Sequence, residues 1–92
     1  MDDFDNRQAR REVRKLHQLA LDAEDEGQYA TMEQLLEHAV SVAQRLNDLP
    51  LLIKERYWLA YAQDMQSKDL QAVATYSWLI GLATGVGRNA RS

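Results

Sequence analysis

Three short polar interruptions, Gly27-Gln28, Asn47-Asp48 and Ser67-Lys68-Asp69, cut this chain into four stretches of helix-forming length. Connections of a few residues force consecutive helices to turn back on one another as antiparallel hairpins. One proline and four glycines in 92 residues leave the intervening stretches free to be helical.

Apolar periodicity supports each stretch. Over 6–26, Val13, Leu16, Leu19, Ala20 and Ala23 recur at the steps of three and four that define a helical stripe. Asp2, Asp3 and Asp5 precede it and suit the positive end of a helix dipole; Gly27 ends it. Over 29–47, Met32, Leu35, Leu36, Ala39, Val40, Val42, Ala43 and Leu46 form a wide apolar face, with Glu33, Glu37, Gln44 and Arg45 on the wet side. Thr31 and Gln34 have the spacing of a capping pair. The third helix, over 50–66, begins at Pro50, a residue suited to a first turn, and the fourth covers 69–84. The reading is therefore all-α, one domain over 1–84 with hairpins at 6–47 and 50–84, and a flexible, weakly basic tail at 85–92.

Composition removes several classes of function. At 46% hydrophobic and 27% charged, the chain has the make-up of a globular domain rather than a disordered one. A net charge of −3 gives no global attraction to nucleic acid or anionic membrane. Cysteine is absent, which excludes disulfides and thiolate chemistry. The apolar stretch 72–83 is broken by Thr75, Ser77 and Gly81 and is shorter than the roughly 20 residues a membrane span requires. The acidic start is the opposite of a signal peptide, so a cytoplasmic location is expected.

Shifting the chain by 40 residues lays Leu19-Ala20 on Leu59-Ala60, Gly27 on Ser67, Val40 on Ile80 and Ala43 on Ala83. What recurs is the pattern of helix, small-residue turn and helix. Gly27-Gln28-Tyr29-Ala30-Thr31-Met32, followed by Leu35-Leu36-Glu37-His38-Ala39, resembles the tetratricopeptide hairpin over about residues 13–85. The second hairpin departs from that pattern: Ser67 stands in place of glycine, Asp69 or Leu70 in place of tyrosine, and the register there is open by one residue. The resemblance implies a right-handed stack of two hairpins whose first helices line a concave binding surface. A four-helix bundle is the alternative arrangement.

The two candidate first helices repeat an order of base, ring, apolar residue and acid. Arg14 matches Lys54, His17 matches Tyr57, Leu21 matches Tyr61 and Glu24 matches Asp64, each set lying on one helix face. Arg14, His17, Leu21, Lys54, Tyr57 and Tyr61, with Trp58, are the candidate partner-binding residues. Bases would meet carboxylates, and rings would supply contact area at low entropic cost. Against this stands the ordinary reading of a solvated helix face.

From Leu70 to Val86 no residue is charged, although a surface helix normally carries a polar stripe. Repeat proteins usually need three or more units and a polar terminal helix. Two hairpins without such a cap lead us to expect self-association, as a dimer, or partner docking through Val73, Tyr76, Trp78, Leu79, Ile80 and Leu82. The alternative is a fourth helix buried centrally against the other three.

Arg7, Arg10, Arg11, Arg14 and Lys15 form the one basic cluster. A helical regulator binding nucleic acid through it is the rival function, but Asp2, Asp3, Asp5 and Glu12 offset its charge, so nucleic acid is the disfavoured partner. His17 and His38 lack the spacing of a metal helix, and Gly81, Gly85 and Gly87 open no phosphate loop. No catalytic residue, metal or cofactor is expected. The expected function is protein binding, as an adaptor, small chaperone or assembly subunit.

Overall fold

A computed structural model describes the backbone of residues 2–91 and the side chains of 3–68 and 70–82. It contains four helices, α1 Asp2–Asp25, α2 Tyr29–Leu46, α3 Leu49–Met65 and α4 Asp69–Arg91, and no strand among the described residues. The fold is all-α, as the periodicity predicts.

Local chemistry sets the boundaries. Asp48 caps α3: its carboxylate accepts the Leu51 amide at 3.2 Å, and Pro50 occupies the first turn, where no intrahelical donor is needed. Three residues between helices adopt positive φ: Gly27 at 72°, Asn47 at 56° and Ser67 at 61°. Each stops its helix by placing one residue in the left-handed region. Some sequence boundaries shift. α1 begins at Asp2 rather than at 6, so its aspartates occupy the first turn, where the dipole favours them. The N-cap of α2 is Gln28 without a side-chain bond, and Thr31 lies inside the first turn rather than capping it. α4 continues to Arg91, helical where the sequence places a tail from 85. The side chains of 83–91, including the basic ones of that tail, lie outside the described residues.

The two intrahairpin turns are near copies. Gly27 N–H donates to Glu24 C=O at 2.9 Å, and Ser67 N–H to Asp64 C=O at 2.9 Å; Gln28 N–H reaches Ala23 C=O at 2.8 Å, and Lys68 N–H reaches Gln63 C=O at 2.9 Å. Met32 to Gln28 and Ala72 to Lys68 follow, both at 3.0 Å. Every partner is displaced by 40 residues, which closes the one-residue ambiguity: Ser67 is the counterpart of Gly27, and Asp69 of Tyr29.

Packing is serial. α1 packs on α2, α2 on α3 and α3 on α4, and among the described residues α4 forms no comparable interface with α1 or α2. The resulting slab measures 47 × 41 × 15 Å. A closed four-helix bundle, or a central α4, would bring α1 and α4 together; here they lie at opposite ends of the series. Ala20 and Ala23 of α1, Met32, Leu36 and Val40 of α2, and Leu59 and Ala62 of α3 make the main core. A second cluster joins Val13 and Leu16 to Ala39 and Val42. Leu19, which the stripe assigns to the core, is exposed.

Glu33 corrects the reading of α2. Expected on the wet side, it is only 7% exposed and accepts bonds from Gln66 Nε2 at 2.9 Å and Lys68 Nζ at 2.8 Å, with Gln63 Nε2 at 3.4 Å. Burial pushes its carboxyl up, but the bonds from Lys68, Gln66 and Gln63 and the charge of Lys68 outweigh that and hold it below its ordinary value of 4.5. Gln63 Oε1 in turn accepts from the Thr75 hydroxyl at 3.4 Å, so one polar chain ties α2, α3 and α4 together.

Candidate protein-binding groove

α3 is apolar around most of its circumference, because it faces α2 on one side and α4 on the other. Beyond both interfaces it still shows a row of large side chains. Leu49, Ile53 and Tyr57, spaced at i, i+4 and i+8, line a groove with Trp58, Lys54 and, from α4, Leu79 and Leu82. The groove measures about 680 Å³. Lys54 is the single charged side chain among its described lining residues, and Tyr57 is 54% exposed.

Trp58 sits at the centre of a set of edge-to-face ring contacts: His17 at 5.6 Å, Tyr61 at 5.7 Å and Tyr57 at 6.2 Å between centroids. His17 is itself anchored. Its Nδ1 lies 2.9 and 3.0 Å from the two carboxylate oxygens of Glu55, a residue only 1% exposed. A hydrogen on Nδ1 would point at both carboxylate oxygens, which accept. Glu55 thus fixes His17, and the imidazole edge helps fix the indole that forms the groove wall. A preset wall loses little side-chain freedom when a ligand arrives.

The seven candidate partner-binding residues divide in space. Lys54, Tyr57 and Trp58 line the groove. His17 and Tyr61 stand behind it, in contact with Trp58. Leu21 is half-buried and Arg14 exposed, and neither lines it. The equivalence of His17 with Tyr57 holds by chain position, but the two do different work, one braced against a buried acid and the other facing solvent. Tyr61 has its phenol pushed up to about 12, first by hydrogen bonding to the Glu24 carboxylate, then by burial and the nearby charge. Leu49 and Ile53 are groove residues that the repeat comparison misses, although their i, i+4, i+8 spacing with Tyr57 marks them as one face.

The set assigned to self-association also divides. Leu79 and Leu82 turn inward to the groove. Trp78 is half-buried and carries the Arg56 guanidinium 4.5 Å from its ring centre, a contact that helps hold α4 on α3. Tyr76 is half-buried, and burial pushes its phenol up. Val73 and Ile80 point away from the rest of the chain and are 58% and 64% exposed.

The basic cluster is likewise dispersed. Arg10 pairs with Asp48 at 3.3 Å, whereas Arg11 and Lys15 line a separate α1–α2 groove of about 860 Å³ with Arg45. Asp5 and Glu12 share that groove, which gives it mixed charge. Among the described residues no helix is long and apolar enough to cross a membrane. No protein-family model, curated protein or solved structure matches this chain.

Proposed function

We propose that this chain is a non-enzymatic protein-interaction module of the cytoplasm, a small tetratricopeptide-like adaptor or assembly subunit that holds a partner segment in the α3–α4 groove and associates with a second copy through α4. The groove carries the reading: about 680 Å³, walled by aliphatic and aromatic side chains, with Lys54 the one cation among its described lining residues. Such a trough fits the apolar face of an amphipathic partner helix, with Leu49, Ile53 and Tyr57 meeting its anchor residues and Lys54 pairing with a carboxylate at its edge. The 40-residue recurrence of the turns supports a tandem helical repeat as the scaffold.

Selection of helical peptides from a random display library tests the reading, with binding followed through Trp58 fluorescence in a Trp78→Phe background. Selected peptides should be amphipathic and acidic, and should lose affinity on Leu49→Asp and on Lys54→Glu. A library that yields no ligand, or ligands indifferent to both changes, overturns it.

A further inference from the structure

The 40-residue equivalence places α4 at the position of α2, yet the two helices differ in what covers them. In α2, Glu33 and Val40 are each 7% exposed. Glu33 is bonded by Gln63, Gln66 and Lys68, and Val40 shares a core cluster with Leu59 and Ala62 of α3. Their counterparts in α4 are Val73 and Ile80, at 58% and 64% exposure. α4 therefore leaves open the surface that α2 buries under the next hairpin. Leu70, Ala74, Ser77 and Gly81 share that outer face, which bears no charge among the described residues 70–82.

A second copy can reach this face in two ways. In a head-to-tail series, α1 of one molecule would lie on α4 of another, as α3 lies on α2. The residues then arriving are the α1 equivalents of Leu59, Gln63 and Gln66, namely Leu19, Ala23 and Glu26, with exposed Asp22 beside them. Both carboxylates would be desolvated against Val73, where α2 offers the polar Glu33 network, and nothing would compensate them. Pairing of α4 with itself over 70–82 sets no carboxylate against Val73, because that stretch carries no charge and is complementary to its own copy.

We infer that two copies of this chain pair through the outer faces of their α4 helices, antiparallel about a two-fold axis at Ser77. This rests on the self-association proposed above and adds its geometry: a closed dimer and not a growing stack. About that axis Ala74 faces Ile80 of the partner subunit, and Val73 faces Gly81 of the partner subunit. Gly81 fits this role. A Cβ built there meets nothing within 4 Å, so its own chain has no need of a glycine at a mid-helix position where glycine weakens the helix. A closely approaching second backbone supplies the need. Leu79 and Leu82 stay on the opposite side of α4, so the dimer presents two open grooves.

Sedimentation equilibrium on the full chain, from low micromolar to several hundred micromolar, tests the inference. The native chain should reach a dimer and stop there. Ile80→Glu should weaken the dimer by roughly tenfold or more with an unchanged helical circular dichroism signal, since Ile80 supports nothing within its own chain. Adding Ala74→Lys to Ile80→Glu should restore the dimer, because each lysine then meets a glutamate across the axis. Tyr57→Ala, in the groove, should leave the dimer intact. A native chain that stays monomeric throughout overturns self-association itself. A dimer that persists in Ile80→Glu, growth past the dimer, or a double variant that stays monomeric overturns the two-fold geometry and leaves the groove reading untouched.

Discussion

His17 and Glu55 meet across α1 and α3, with Nδ1 at 2.9 and 3.0 Å from the two carboxylate oxygens, and the acid is almost wholly buried. Removing the imidazole strands that acid without a partner. His17→Ala should cost about 3 kcal/mol, the scale for breaking one side of a buried polar pair. Replacing both residues by leucine should recover much of that loss, since it removes the desolvated charge along with its partner. Urea denaturation monitored by circular dichroism measures both values.

The duplicated turns give a matched pair of substitutions. Gly27→Ala puts a Cβ on a residue at φ 72° where no neighbour lies within 4 Å, so the cost is backbone strain alone, about 1 kcal/mol. Ser67→Gly should move stability the other way, by up to about 1 kcal/mol, because Ser67 bears that strain already and glycine relieves it at the expense of a freer unfolded chain. Thermal melts of the two variants beside the native chain give the opposite signs directly.

Glu33 sets an acid limit. Its folded carboxyl lies below its ordinary 4.5, so its contribution is fully present above that value and fades as pH falls through the lower, folded one. The chain should lose stability as pH drops below about 4.5, with Glu33 protonating and releasing Lys68. Lys68→Met should lower stability at neutral pH and flatten this dependence. Denaturation midpoints measured across the acid range, native against variant, provide the comparison.

Asp48 serves two partners, the Leu51 amide of its own helix and the Arg10 guanidinium of α1. The cap should dominate. Asp48→Ala is expected to cost about 1 kcal/mol, whereas Arg10→Ala, which removes only a solvent-facing pair, is expected to cost no more than about 0.5 kcal/mol. Equal losses would mean that the ion pair, not the cap, sets the value of this carboxylate.

Helix number, order and pairing are legible in the sequence because periodicity and turn chemistry are local signals. The misreadings arise where a distant residue decides. Glutamate reads as solvated, so nothing local to Glu33 or Glu55 tells that Lys68 or His17 waits across a helix boundary. His17 consequently reads as a ring free to meet a ligand. Three of the seven candidate binding residues, Lys54, Tyr57 and Trp58, do reach the groove, whereas Leu79 and Leu82, assigned by composition to self-association, prove to be its opposite wall. An uncharged helix announces that it is covered, but not which of its sides is covered by its own chain. The sequence end of α4 at 84 also moved, because a glycine within a helix weakens it without ending it unless the backbone turns left-handed, as it does at Gly27.

The serial packing has a kinetic counterpart. With each helix resting chiefly on the next, most contacts are local and the long-range ones join consecutive helices, a topology associated with rapid folding. Opening should be graded along the series and not all at once. Among the described residues α4 gives the interior only Ala72 and Thr75, whereas α1 at the other end gives Val13, Leu16, Ala20 and Ala23. Within a single copy α4 is thus the end from which the chain unzips, leaving three helices behind, and in dilute, monomeric solution its amides should exchange with solvent fastest.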